Sequence, residues 1–444
     1  MATTRQRGRR DALGFGLAAL NRLAGLTLID RLGLRRPTER VVFEAARTGF
    51  RTLGAATRTF TAVRRRARPA RLSATDPSAG LFDLTPTDDQ RLMREIVTEF
   101  AAERLRPQAA EADAQCRAPA ALLRTSAELG LTMIGVPDEL GGAGTERPQM
   151  TNVLVAEALG HGDMGLAVAC LAPAAVSTAL SLWGDEHQQA TYLPAFVGDE
   201  VPAAALAVLE PRPLFDPFTL RTTARRTPGG FTVDGVKSLV PRAADAELFV
   251  VAADLDGAGP ALFVVESDTA GLVVEAEPAM GLRAAGMGRL VLDGVHLPAS
   301  ALLGDAARET YAECVALSRL GWCALAVGTG QAVLDHVVPY VNDRHAFGEP
   351  VSHRQSVAFM VANIGIELDG MRLVTYRAAA RAAAGKPFTR EVALARRLCT
   401  DRGMTIGSDG VQLLGGHGFV KEHPVERWYR DLRAIGLMEG GVLV

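Results

Sequence analysis

The spacing of apolar and polar positions changes period twice along this chain. From Leu84 it is helical. Thr85 is placed to cap, Pro86 suits a first helical position, and Asp88 favours the positive end of a helix dipole. Leu92, Met93, Ile96, Val97 and Phe100 then share one helical face, and Pro107 is read as the end of the run. A second helix starts at Pro119, a glycine-closed apolar stretch covers 129–144, and further helices are expected over 150–159, 164–183 and 186–196. From Val201 the period shortens. Segments 203–208, 219–223, 230–233, 248–253, 261–265 and 290–292 read as short strands. Gly229-Gly230 and Asp234-Gly235 look like hairpin turns. From Ala306 the pattern is helical again, over 311–334, 355–380 and 390–414, with Pro339 interrupting the first of these. Three or four long antiparallel helices there would form a bundle.

The order α, β, α gives an α+β fold: an N-terminal helical domain over 81–199, a β domain (barrel or small sandwich) over 200–305, and a C-terminal helical bundle over 306–444. The chain's 444 residues suffice for several such units. Net charge is −2, which gives no whole-protein argument for nucleic acid. The charge is unevenly spread. Residues 1–72 hold 17 arginines against four acidic residues. Leu13, Phe15, Leu17, Leu20 and Leu23 recur among them at loose helical spacing. Residues 1–80 are therefore read as a basic helical extension and linker. It either makes a peripheral contact with anionic lipid, or is a solvated basic tail or an arm packed on the acidic body. Asn21, Arg22, Asp30 and Arg31 interrupt its apolar run, so it makes a poor spanning helix, and no clear leader cleavage site follows. Five scattered cysteines without a CxxC fit a reducing cytoplasm, and eight histidines show no metal-ligand spacing. No GxGxxG follows a strand and no P-loop is present.

The stretch 412–441, QLLGGHGFVKEHPVERWYRDLRAIGLMEGG, carries the candidate chemistry. Gly415 and Gly416 follow an apolar helical run, where a bare backbone permits close approach. Segment 425–433 mixes alternating charges with two aromatics, like a helix that docks on something. Glu439 then stands between an apolar pair and two glycines. A carboxylate so placed is poorly solvated, its pKa rises, and it is suited to act as a base toward a carbon acid.

From about Leu84 to Gly441 the chain resembles the flavin-dependent acyl-CoA dehydrogenases. The resemblance rests on motifs in order: LGLTMIGVPDELGGAG (129–144), AEALGHGD (156–163), WGDEHQQATYLPAFVGDE (183–200), FTVDGVKSLV (231–240), LDGVHLPASALLGD (292–305), RHAFGEPVSHRQSVAFMVA (344–362) and the 412–441 stretch. It implies FAD as cofactor and α,β-dehydrogenation of an acyl-CoA thioester. Glu439 matches the family's base, removing the α-proton while hydride passes to flavin N5. Ser318 stands where a minority of members carry the base, so that option is absent. Arg319 matches an arginine near substrate and base. Gly440 would let the base's backbone approach the thioester and flavin closely. Arg344, Phe347 and Gln355 match residues that reach the FAD of a neighbouring subunit, and Gln412, Gly415 and Gly416 would cover another part of it. The resemblance therefore implies a homodimer or homotetramer, with an electron-transferring flavoprotein as acceptor.

The chain also departs from the family pattern. Leu209 replaces a threonine before Glu210-Pro211, Arg212-Pro213-Leu214 replaces a glycine-rich loop, and Phe215 replaces its serine. Leu239-Val240-Pro241 replaces a Trp-Ile-Thr/Ser beside the flavin ring, and Gly441 stands where a threonine is usual. Two readings follow: an active flavoenzyme of a divergent subgroup, or a flavin-poor partner subunit of a hetero-oligomeric acyl-CoA dehydrogenase.

Overall fold

The first helix begins at a cap two residues later than the sequence expectation. In the computed structural model, which describes residues 84–143, 148–198 and 200–441, Thr87 caps α1 (Asp88–Phe100). Its hydroxyl accepts from the Gln90 N–H at 3.2 Å, and the Gln90 side chain accepts from the Thr87 N–H at 3.0 Å. This reciprocal capping box satisfies two donors, which a cap at Thr85 would not. The basic extension 1–72 and the linker lie outside the described residues. Pro107 does not end the helix. A π-helical turn, Ala101–Leu105, comes first, and α2 (Arg106–Gln115) continues with Pro107 in its first turn. The wider turn shifts the hydrogen-bond register, so the missing proline N–H falls where a helix start tolerates it.

Helices α3 (Ala120–Glu128), α4 (Gln149–Gly162), α5 (Met164–Trp183) and α6 (Glu186–Tyr192) follow. Helix α5 is long and apolar enough to cross a membrane by composition, but 67% of that window is buried in the protein. Its apolar surface is covered by the core. Asp163 caps it, accepting from the Leu166 N–H at 3.0 Å.

Eight strands then form one sheet: β1 (Ala204–Ala207), β2 (Thr223–Thr227), β3 (Gly230–Val240), β4 (Leu248–Leu255), β5 (Gly259–Glu266), β6 (Leu272–Ala276), β7 (Gly288–Pro298) and β8 (Leu302–Leu303). Their order is β6-β7-β3-β2-β4-β5-β8, with β1 also paired to β4. Alternate residues of β4 and β5 serve two cores. Phe249, Val251 and Phe263 join Phe231 and Val295 on one face. Leu248, Val250 and Leu262 meet Val176 and Leu180 of α5 on the other. This double burial is why both strands read as unbroken apolar runs. Segment 219–223 is not a strand. The Glu210 carboxylate takes the N–H groups of Arg221 and Thr222, at 2.9–3.0 Å, and pairing starts only at Thr223. Asp234-Gly235 is not a hairpin turn either. It is a bulge inside β3, with Gly235 at φ +152°, where an added Cβ would lie 2.6 Å from Thr222.

The chain closes with α7 (Arg308–Asp343), the two-residue strands β9 (His345–Ala346) and β10 (Glu349–Pro350), then α8 (Gln355–Ala383), α9 (Thr389–Leu413) and α10 (Val425–Leu432). Helix α7 runs through Pro339. Val333, Val337 and Val341 flank the proline on a fully buried stripe, and packing overrides the lost hydrogen bond. Residues of α1, α2, α4, α5, α7, α8, α9 and α10 share a single apolar cluster, so the first and last helices of the described chain build one core.

Candidate active site

Glu439 is positioned by a helix that would be unstable alone. Eight residues are too few for an isolated helix, yet α10 is held on every side. Trp428 is fully buried beneath it. Arg427 Nε meets Asp163 Oδ2 at 2.7 Å. Arg430 grips both oxygens of Asp113 in α2, at 2.9 and 3.0 Å, and Asp431 accepts the Leu282 N–H at 2.6 Å. The alternating charges of this segment are therefore docking contacts to the N-terminal helices and to the loop ahead of β7.

A 3₁₀ turn, Arg433–Gly436, carries the chain from α10 to Glu439, which sits at φ +53°. A side chain in that region is strained and persists only where its surroundings fix it. The fixing contacts are to backbone. Arg319 donates from Nε and Nη2 to the Glu439 carbonyl, at 3.0 and 2.7 Å. Arg396 donates from Nη2 to the Gly440 carbonyl. The Gly441 N–H donates to the Phe215 carbonyl at 2.8 Å. Gly440 lies at φ +105°, and an added Cβ would be 2.6 Å from Pro217 and 3.0 Å from the Phe215 carbonyl. What Gly440 admits in this chain is thus its own 215–217 loop.

The Glu439 side chain is 6% exposed and enters a cavity of about 220 Å³ between α4, α5 and α7. Its Oε2 has no hydrogen-bond partner. Burial raises the carboxyl pKa, while Arg396, the Ser318 hydroxyl, Arg319 and the Trp322 indole N–H pull it back down. A buried carboxylate oxygen with a free lone pair, facing an apolar cavity, is equipped to take a proton from a weakly acidic C–H.

Arg396 was not legible as a site residue. It is one of many arginines in the sequence and lies on the largely apolar α9 face of Val392, Ala395 and Cys399. The structure buries it, and burial with the neighbouring Arg319 pulls its guanidinium down to about 10. Its Nε and Nη1 have no partner. Its position on that stripe is the one signal the sequence offered.

Arg344, Gln412, Gly415 and Gly416 come together elsewhere, in a recess of about 390 Å³ with Tyr340 and His417. A Cβ at Gly415 or Gly416 would meet nothing within 4 Å. Gln355 is the exposed first residue of α8 and Phe347 is 96% exposed at φ +55°; neither lines this recess. Among the described residues, the recess and the Glu439 cavity have no lining residue in common.

The altered β-domain residues are held by the chain itself. The Leu209 carbonyl accepts from Ser238 at 2.9 Å. Phe215 is buried, with the Arg212 guanidinium 5.2 Å from its ring centre. Leu239, at φ +50°, donates its N–H to Glu277 at 2.6 Å. Pro241 and Leu206 line the Glu439 cavity.

Three family models match in succession: "Acyl-CoA dehydrogenase, N-terminal domain" over 87–200, "middle domain" over 205–295 and "C-terminal domain" over 309–441. The short-chain specific acyl-CoA dehydrogenase of Bos taurus mitochondria is 31% identical over 360 residues, covering 80% of this chain and 87% of that protein. The chain belongs to the acyl-CoA dehydrogenase family. The fold agrees. Butyryl-CoA dehydrogenase of Megasphaera elsdenii superposes with a TM-score of 0.75 at 27% identity, over 81% of this chain and 97% of that one. A glutaryl-CoA dehydrogenase of Mycobacterium smegmatis, solved with FADH2, gives 0.74 at 25% identity, over 81% and 92%. The helical, β and helical order expected from the resemblance is thus the fold of this family.

Members of this family are FAD-dependent oxidoreductases. The residues present fit that cofactor. The Arg344 guanidinium beside the side-chain-free Gly415-Gly416 backbone suits a pyrophosphate. Pro241 and Leu206 offer apolar contact to a flat ring, although they bring no side-chain hydroxyl to it.

Proposed function

We propose that this protein is an FAD-dependent acyl-CoA dehydrogenase in which Glu439 removes the α-proton of the substrate. The observation that carries the reading is the unpartnered Glu439 Oε2 in an apolar cavity. Proton uptake neutralises a carboxylate that burial already disfavours, so the cavity assists the transfer. Arg319 and Arg396 clamp the carbonyls of Glu439 and Gly440, and their charges keep the base ionised enough to act. The held turn would fix the base against the thioester, and, as the resemblance implies, the Glu439 backbone N–H would support the thioester oxygen as negative charge develops there. Bound FAD supplies the acceptor for the hydride that leaves the β-carbon.

Arg344, Phe347, Gln355, Gln412, Gly415 and Gly416 would hold the dinucleotide part of a neighbouring copy's FAD. This rests on the separation of the recess of Arg344, Gln412, Gly415 and Gly416 from the Glu439 cavity, with Phe347 and Gln355 carried by the resemblance alone, and it makes the active form a homo-oligomer. An electron-transferring flavoprotein is the acceptor this reading requires, and a cytoplasmic site with peripheral lipid contact through 1–72 accompanies it. The missing hydroxyls at Leu209, Phe215 and Pro241 and the missing indole at Leu239 favour one second reading, a flavin-poor partner subunit.

Purified protein mixed with FAD should retain a flavin absorbance band, and a short acyl-CoA should bleach it under anaerobic conditions. Colourless protein that takes up no FAD would sink the enzyme reading and leave the partner-subunit one.

A further inference from the structure

One polar group in the Glu439 cavity has no task in the reaction described. Gln149, the first residue of α4, is 4% exposed and lines that cavity. Its Oε1 has no hydrogen-bond partner. The α4 N-terminus has no side-chain cap, so the amide is not spent on the helix's own N–H groups. Buried polar atoms are rarely left unsatisfied, and an orphan in a cavity marks a position where a ligand completes the bond. Asn152 lies three residues on, on the same face of α4, and lines the same cavity. Most of the remaining lining is aliphatic or aromatic. Ser318 and Trp322 are turned to Glu439.

On the strength of the dehydrogenase reading, we infer that the substrate is an acyl thioester whose chain carries a neutral hydroxyl, received by the Gln149 amide. Three features select this class. A hydroxyl both donates and accepts, so it satisfies either end of an amide. No Lys, Arg or His lines the cavity among the described residues, so a chain ending in a carboxylate would bury an unpaired charge. Asn152 beside Gln149 adds a second neutral amide to the lining, which suits a neutral polar group on the chain.

The test is direct binding, measured by calorimetry on the FAD-loaded protein. The ligands are ω-hydroxyacyl-CoAs of four and five carbons, each against the straight-chain acyl-CoA in which a methyl replaces the hydroxyl. The hydroxylated member of at least one pair should bind about tenfold more tightly or better, since a site that has buried its own amide loses that bond with the methyl analogue. Gln149→Leu should erase that ratio, and Gln149→Asn should restore part of it. Equal affinities, a preference for the methyl analogues, no binding of any, or a ratio unchanged by Gln149→Leu would each overturn the inference. Failure of the dehydrogenase reading is visible separately, as binding without flavin bleaching.

Discussion

Glu439 combines two opposed needs in one residue. To act as a base it must be ionised, yet its cavity favours the neutral acid. The folded pKa is raised, so the folded chain holds this proton more tightly than the unfolded chain does. Its contribution to stability is complete below the unfolded carboxyl value and is lost as pH rises through the folded one. Catalysis runs the other way, and flavin reduction should accelerate with pH across that window. Arg396 is the largest influence opposing the raised value. Arg396→Gln should therefore move the midpoint of the rate profile to higher pH, and Arg396→Lys should move it most of the way back. Single-turnover flavin reduction across pH reads this out, and an unmoved midpoint for Arg396→Gln would remove Arg396 as a positioning residue. Of this pair the sequence showed only Glu439. A carboxylate flanked by apolar residues and glycines is a local signal, whereas the importance of Arg396 comes from a contact across 44 residues.

At the scale of elements, what was legible depended on whether the deciding contact was local. Strands β4 and β5 and helix α5 announced themselves through continuous apolar runs. The breaks at Pro107 and Pro339 did not occur, because a π-turn in one case and a buried valine stripe in the other carried the helix onward. Strand β3 shows the same limit. Its Lys237 is fully buried, with Nζ 3.1 Å from Glu210 and 3.2 Å from the Val208 carbonyl, and burial pulls its pKa down to about 8. Glu210 in turn organises the loop that meets the Glu439 turn. Glu210 keeps its backbone donors and a 3.8 Å contact to Arg212 but loses its nearest cation, so Lys237→Met should cost about 1–3 kcal/mol in denaturant unfolding. The double variant Lys237→Met/Glu210→Gln should be less destabilised than Lys237→Met alone. If the two changes simply added, the pair would not be the organising contact.

For the whole molecule, two cavities with no shared lining among the described residues mean that one chain holds the proposed base and a separate recess suited to a dinucleotide. The resemblance pointed to that division, whereas position in the chain could not, because Gln412–Gly416 and Glu439 stand in one stretch and Arg344 in another. The contents of the substrate cavity were not readable, because Gln149, Ser318 and Glu439 come from three distant segments. All of this depends on Glu439 acting as the base. The most direct measurement is exchange of the acyl-CoA α-hydrogen for solvent deuterium on the FAD-loaded protein, followed by mass spectrometry. The wild-type protein should exchange that hydrogen, and Glu439→Gln should slow the exchange by about 10²–10⁴-fold while still retaining FAD. Exchange at the wild-type rate in Glu439→Gln would contradict the account.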